Sequence, residues 1–212
     1  MSRRSSLLAL ALLTLSTASG MQCPPTGSLL ADTIQLPSAA QPPETPGSPG
    51  VVVANPKLLT QFGPGADLNR AIYTRYHLKG SGAPDGILVL VPGFQGGAGG
   101  FEILAEQVMR RGLSDHGRVF EVWAFDRRTN LLEDTEGLDI AERTLDAQIG
   151  LDWLFGAELG LTLHPELVAG PNRRAVFYNT SDDVPFIAHW TPQVHSFDID
   201  AVIAAAQAAA LN

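Results

Sequence analysis

The sequence predicts an α/β fold with a mostly parallel sheet and flanking helices, and three observations support this. Residues 86–91 form a continuous apolar run, which is typical of a strand buried on both faces of a parallel sheet. A glycine-rich turn at 92–100 and an amphipathic helical pattern at 101–112 follow it, and residues 118–125 form a second apolar run. Strand, turn, helix and strand in this order predict one βαβ unit with a right-handed crossover.

The composition is that of a globular chain with an acidic balance. The 212 residues are 45% hydrophobic and 17% charged, which is enough to bury the core of roughly one domain. The net charge is −8, and no run of basic residues is longer than two, so the sequence argues against a nucleic-acid partner. Cys23, the single cysteine, excludes an internal disulfide framework and a multi-cysteine zinc site. No cofactor is predicted.

The first twenty residues have the pattern of an export signal. Arg3 and Arg4 are followed by a nine-residue apolar run at 7–15 and then by small residues up to Gly20. Nine residues of helix rise only about 14 Å, roughly half of a bilayer core. We therefore predict a signal peptide at 1–20 and an exported protein, located in the periplasm, on the cell surface or outside the cell.

Residues 21–50 are predicted to be a disordered, proline-rich linker. Seven of the fifteen prolines lie within residues 24–50, and such a stretch favours extended, solvated backbone. Cys23 lies at the start of this segment, before its first proline. It is a candidate for lipidation, which would tether the protein to a membrane. The residues at 20–22 lack the run that usually precedes a lipidated cysteine, so an incidental cysteine is the alternative.

The folded domain is predicted to occupy residues 51–212. Apart from the βαβ unit, the hydrophobic pattern predicts strands at 51–53 and 71–78, and helices at 139–155 and 201–211. Gly112 is predicted to end the helix of the βαβ unit, and Ser196 to cap the last helix, with Asp198 and Asp200 in its first turn. Residues 156–195 show no simple period. They are either a lid over a pocket or a packed irregular segment.

The glycine-rich turn allows two interpretations, of which the first is phosphate binding. Gly97 and Gly99 could supply the first two glycines of a dinucleotide fingerprint, and Asp126 ends the next strand, where a ribose-binding acid would lie. However, Glu102 occupies the position of the third glycine and would repel a pyrophosphate. A P-loop is excluded because no Gly-Lys-Ser/Thr follows.

The second interpretation is a family resemblance. The segments ILVLVPGFQGGAGGFEILAEQVMRRGL and VFEVWAFDRRTNLLED resemble the first half of the α/β-hydrolase fold. The resemblance implies that Gly93 belongs to the turn after the third strand, where Pro92 replaces the common histidine. It further implies that the backbone N–H groups of Phe94 and Gln95 form an oxyanion hole.

The same resemblance assigns a role to the end of the following strand. In the family, an Asp-Arg pair at this position holds the turn beneath the site, and Asp126 and Arg127 match it. The activity implied for intact relatives is serine hydrolysis of ester, amide or peptide bonds, with small-molecule, lipid or peptide esters as substrates.

The nucleophile of such an enzyme is not found in the sequence. None of the twelve serines lies in Gly-x-Ser-x-Gly, and the nearest approach, residues 112–117, has one residue too many. None of the five histidines has an i, i+4 histidine partner for a metal. His189, Trp190 and His195 could line a pocket, although surface or packing roles are the alternative.

The sequence therefore predicts an α/β-hydrolase-like protein that lacks a catalytic triad, an inactive fragment truncated before the nucleophile. The alternative from a different class is a non-catalytic exported binding protein or surface lipoprotein.

Overall fold

The computed structural model describes residues 27–93 and 96–210. The predicted signal peptide, Cys23, Phe94 and Gln95 lie outside this described part. The strands are β1 (Leu29–Pro37), β2 (Arg70–Leu78), β3 (Gly86–Leu90) and β4 (Phe120–Asp126). The helices are α1 (Pro56–Phe62), α2 (Glu102–His116), α3 (Glu136–Thr144), α4 (Ala147–Phe155), α5 (Pro165–Ala169) and α6 (Pro192–Ala210). No helix of the described residues has the length and apolarity to cross a membrane.

The four strands form one mixed sheet in the order β1-β2-β4-β3. The pair β3–β4 is parallel and is joined through α2, which is the predicted βαβ unit. The pairs β1–β2 and β2–β4 are both antiparallel, because β2 runs opposite to each of its neighbours. The α/β class is therefore confirmed, and the prediction of a mostly parallel sheet is wrong.

Strand β1 comes from the segment that was predicted to be a disordered linker. It pairs along its whole length with β2, and its Ile34 and Leu36 pack with the core on one face of the sheet. Thr45 and Ser48, further along the segment, are also buried. The linker prediction is wrong for this stretch because the proline content, averaged over 27 residues, hid a short alternating pattern. None of the prolines lies inside the strand: two precede it in the sequence, Pro37 ends it and the others follow, and an edge strand tolerates a proline at its end.

Helices α2 and α6 cover opposite faces of the sheet. Along β4 the side chains alternate, so that Val122 and Ala124 pack in the cluster that includes α2. Trp123 and Phe125 pack on the other face, in the cluster that includes α6. Strand β4 is central and buried on both faces, as the apolar run predicted. Strand β3 is an edge strand with Leu88 41% exposed, so the prediction that β3 is buried on both faces is wrong.

Helix α2 is longer than the sequence predicted. Gly112 lies within it, and a Cβ at this position would be 2.4 Å from the ring of Phe120. The helix ends instead at Gly117, whose φ of 62° is readily adopted by glycine. Gly112 thus marks a close approach between α2 and β4, whereas the glycine that ends the helix lies five residues further on.

Three other predicted elements differ in the structure. Residues 51–53 form no strand, and Val52 is 85% exposed. The helix predicted at 139–155 is two helices, α3 and α4, because the chain turns at Leu145 with a φ of 56°. Helix α6 begins at Pro192, so Ser196 lies inside the helix and is not its cap.

Residues 156–195 are irregular but packed. The segment contains α5 and a 3₁₀ helix, Pro185–His189. Leu167 packs with Trp153 of α4, and Val184 packs with Leu58 of α1. Of the two alternatives left open by the sequence, these contacts favour a packed irregular segment.

Candidate functional site

The carboxyl ends of β3 and β4 lie side by side because the two strands are parallel. In open α/β sheets, ligands bind in the crevice beyond these ends. The glycine-rich turn begins immediately after β3, at the same edge of the sheet. A functional site is therefore expected at this edge of the sheet.

Asp126, at the end of β4, holds the glycine-rich turn. Its carboxylate oxygen Oδ1 accepts a hydrogen bond from the backbone N–H of Ala98 at 2.6 Å. A Cβ on Gly97 would lie 3.2 Å from the same oxygen and 3.1 Å from the side-chain nitrogen of Asn130, which explains the glycine. Burial raises the pKa of Asp126, while hydrogen bonds from Ala98 and Thr74 lower it. Asp126 thus joins β4 to the turn that follows β3.

The cavity beside Asp126 is unsuited to a phosphate. It has a volume of about 400 Å³, and both Asp126 and Glu133 line it together with Gly97 and Gly99. Two carboxylates facing the same space would repel a phosphate, so this geometry speaks against the nucleotide-binding hypothesis. Among the described residues, no group of three or more His, Cys, Asp or Glu side chains could hold a metal ion.

Arg127 connects the two strand ends from the other side. Its backbone N–H donates to the Asn130 side-chain oxygen at 3.1 Å, and its guanidinium donates to the backbone oxygen of Pro92 at 3.4 Å. Within the turn, the N–H of Gly96 donates to the oxygen of Gly93 at 3.1 Å. The structure therefore brings Gly93, Asp126 and Arg127 to one turn. The two predicted oxyanion donors belong to the undescribed residues between its described parts.

A larger cavity lies between the strand ends and the first turns of α6, and we call it the α6 cavity. Its volume is about 730 Å³. Apolar side chains form most of its wall, namely Val91, Phe125, Trp190, Pro192 and Ile199. Its polar side chains are those of Arg127, Thr129, His195 and Ser196, and none of the lining residues carries a carboxylate. Trp190 and His195, two of the three residues predicted to line a pocket, therefore meet here.

His195 has an unusual position in this cavity. Its Nδ1 atom is buried and has no hydrogen-bond partner among residues 27–93 and 96–210. Burial lowers the pKa of His195; Asp198 opposes this shift, and Arg127 and Arg128 add to it. The imidazole is therefore neutral at pH 7.

Beneath the α6 cavity lies a buried ion pair that the sequence did not reveal. Arg128 and Asp198 are both fully buried, and the guanidinium donates to both carboxylate oxygens at 2.8 Å. The same guanidinium donates to the side-chain oxygen of Asn69 at 3.0 Å and to the backbone oxygen of Ala40 at 2.9 Å. The sequence predicted Asp198 only as an acidic residue in the first turn of a helix, because nothing in it indicates a partner 70 residues away.

A third cavity is formed partly by the irregular segment. It has a volume of about 470 Å³ and a largely apolar wall that includes Leu138, Val176 and Ile187. Asp134 lies at this cavity, but its carboxylate accepts the backbone N–H of Val176 at 2.9 Å. Burial and the nearby Asp134 raise the pKa of Tyr178 to about 12, so its phenol remains protonated. The largely apolar wall of this cavity suits an apolar ligand.

The arrangement of a serine hydrolase is not assembled among residues 27–93 and 96–210. No serine hydroxyl there is hydrogen-bonded to a histidine; Ser114, for example, donates to Asp115 at 2.6 Å. His77 of β2 pairs with Asp32 of β1 at 2.8 Å, and His164 accepts the N–H of Glu166 at the start of α5.

No family model, curated protein or solved structure matches this chain. Its function must therefore be inferred from the residues and contacts described above.

Proposed function

We propose that this chain is built on the first half of an α/β-hydrolase-like scaffold and carries the oxyanion side of a hydrolytic site. The observation that carries the proposal is the contact between the Asp126 carboxylate and the N–H of Ala98, which holds the glycine-rich turn at the strand ends. Gly93 and Arg127 lie at the same turn. This is the position that the family resemblance gives to the residues beneath an oxyanion hole.

The strand arrangement supports the same proposal. The order is β1-β2-β4-β3, and β2 alone runs opposite to the other three strands. The parallel pair β3–β4, with α2 as its crossover, is the part of the sheet on which the resemblance rests. Helices α2 and α6 cover opposite faces, as expected for a doubly wound sheet.

The proposed chemistry is stabilisation of a developing oxyanion by the backbone N–H groups of Phe94 and Gln95. Such donors matter because they meet charge that forms only in the transition state. The substrates of this class are esters, amides or peptides. Cleavage also needs an activated nucleophile, and the 212 residues contain no Gly-x-Ser-x-Gly. We therefore propose that the chain on its own does not hydrolyse these substrates.

The test is covalent labelling of the purified chain with a fluorophosphonate, alongside p-nitrophenyl acetate hydrolysis. We expect no labelled serine and no burst of p-nitrophenol, whereas an active serine hydrolase treated in parallel gives both. Stoichiometric labelling of one serine would overturn the proposed inactivity. An experimental structure in which the N–H groups of Phe94 and Gln95 diverge would overturn the oxyanion assignment.

A second candidate function is non-catalytic ligand binding by an exported protein. The two large cavities with apolar walls favour it, since neither contains a nucleophile with its base. A single cooperative thermal transition of the monomer would support this candidate. Low solubility, dye binding and a broad transition would instead favour the incomplete hydrolase scaffold.

We further propose export through residues 1–20, with Cys23 as the candidate site of a lipid tether. Mass spectrometry of the protein isolated from its source cells tests this. A mature chain beginning at Met21 supports simple export, and a diacylated Cys23 supports the tether. Retention of Met1 on protein in the cytoplasm would refute both.

A further inference from the structure

The α6 cavity contains a positive charge that no acidic group of its wall compensates. Arg127 lines it, is only partly exposed and takes part in none of the ion pairs of the described residues. Its guanidinium has a long hydrogen bond to the oxygen of Pro92, which leaves most of its donors unused. The protein as a whole carries a net charge of −8, so a cavity with a cation and no carboxylate is distinctive.

His195 also lines this cavity, although its Nδ1 atom has almost no accessible surface. Arg127 is close enough to lower the pKa of this histidine. A negatively charged group placed beside Arg127 would compensate the guanidinium and favour the protonated ring of His195.

The remaining surroundings of His195 do not supply such a group. On α6 itself, Asp198 is the nearby acid, but both of its carboxylate oxygens accept from Arg128. From the end of β4, the facing charged groups are Arg127 and Arg128, both cationic. The cavity also adjoins the first turn of α6, a 19-residue helix whose N-terminus favours negative charge.

We propose that the α6 cavity binds an organic monocarboxylate, with its carboxylate on Arg127 and its apolar chain against Phe125, Trp190 and Ile199. The arginine supplies a charge-assisted hydrogen bond, which is among the stronger kinds in proteins. The apolar wall supplies burial for a chain of several carbons, and the volume of about 730 Å³ accommodates one.

Binding of the carboxylate is coupled to protonation of His195. A negative charge beside the imidazole favours its charged form and offsets the effect of burial. The proton comes from solvent and resides on the imidazole ring. The site does not depend on the proposed hydrolase scaffold, because it needs neither the oxyanion donors nor a nucleophile.

Isothermal titration calorimetry with octanoate at pH 6.5 tests the proposal, with 1-octanol and octylamine as neutral and cationic probes of equal chain length. We expect saturable binding of octanoate at one site and no comparable binding of the other two. Arg127→Gln should weaken octanoate binding at least about tenfold, since a hydrogen bond to a charged group is lost. Arg143→Gln, which removes an exposed arginine of α3 and changes the net charge equally, should leave it unchanged.

Nuclear magnetic resonance of the His195 ring provides the second measurement. Octanoate should raise the pKa of His195, and half of this shift should require at least about tenfold more octanoate in Arg127→Gln than in the unchanged protein. Absence of saturable binding at millimolar octanoate would overturn the proposal. So would binding of 1-octanol as tight as that of octanoate, because the site would then recognise only the apolar chain.

Discussion

Two adjacent arginines at the end of β4 face opposite environments. Arg128 points into the protein, is fully buried and donates to Asp198, Asn69 and Ala40. Arg127 points into the α6 cavity and takes part in no ion pair of the residues that the structure describes. Two neighbouring residues of the same type thus take different roles. The surroundings of each guanidinium give Arg128 a structural role and leave Arg127 available to a ligand.

A charged side chain is stable in the interior only when its partners compensate the charge completely. Removing an ion pair from water costs several kcal/mol per ion, and it is repaid only if both partners are fully hydrogen-bonded. Arg128 meets this condition, and its contacts join the segment after β1, the loop before β2, and α6. Arg127 does not need such compensation, because it is partly exposed in the cavity.

The largest expected effect is that of breaking the buried pair. Arg128→Met leaves Asp198 as a buried, uncompensated carboxylate, and we expect it to lower the free energy of unfolding by about 3–5 kcal/mol. Urea unfolding followed by circular dichroism measures the loss. A change below about 1 kcal/mol would show that Asp198 reaches solvent in the folded protein.

Removing both partners should cost less than removing one. In Arg128→Met with Asp198→Leu no buried charge remains, so we expect the double variant to be more stable than Arg128→Met alone. The same urea unfolding provides the comparison. A double variant whose loss equals the sum of the two single losses would contradict coupling between the residues.

The glycine-rich turn offers a matched pair of variants on the Asp126 side. A Cβ at position 97 would meet Asp126 and Asn130, whereas one at position 99 has no atom within 4 Å. We therefore expect Gly97→Ala to destabilise the protein by about 1–3 kcal/mol through overpacking. Gly99→Ala is the control. Equal unfolding free energies for the two variants would show that Asp126 does not hold the turn closely.

Arg127→Gln should have a small effect on stability. Its one side-chain hydrogen bond is long, and it lacks an ion-pair partner in the described part of the chain, so we expect a change within about 0.5 kcal/mol. Comparison with Arg128→Met under identical conditions sharpens the contrast between the two residues. A loss as large as that of Arg128→Met would place both arginines in the structural core.

The smallest expected effect concerns pH. Burial lowers the pKa of His195 in the folded state, so the unfolded chain binds the proton more tightly. The associated stability is therefore present above about pH 6.5 and is lost as the pH falls from there through the lower folded pKa. Thermal melts from pH 7 to pH 5 should show a smaller decrease for His195→Gln than for the unchanged protein.

Carboxylates with a lowered pKa act in a separate pH range. Burial raises the pKa of Glu121, but hydrogen bonds from Arg75 and Trp123 outweigh it and hold the pKa low. The contribution of Glu121 to stability is lost only as the pH falls through the carboxylate range, around pH 4.

The His195 prediction has a clear contradicting outcome. If the melting temperature of His195→Gln falls between pH 7 and pH 5 as steeply as that of the unchanged protein, the role assigned to His195 is wrong.

Local patterns predicted the central part of the fold well. The apolar runs and the helical stripe between them predicted β3, α2 and β4 because each depends on neighbours within a few residues. The site could be predicted only in part. The turn and Asp126 follow directly from this unit, whereas the Arg128–Asp198 pair joins residues 70 positions apart. A sequence pattern that spans a few residues cannot indicate a partner this far along the chain.

The βαβ unit, its glycine-rich turn and the lack of a Gly-x-Ser-x-Gly motif can be read from the sequence alone. Long-range contacts, in contrast, make residues 29–37 a strand and the sheet mostly antiparallel. They also bury Arg128 and leave Arg127 partly exposed. Helix and strand periodicity is encoded locally. Strand partners, by contrast, and the compensation of a buried charge depend on residues that only folding brings together.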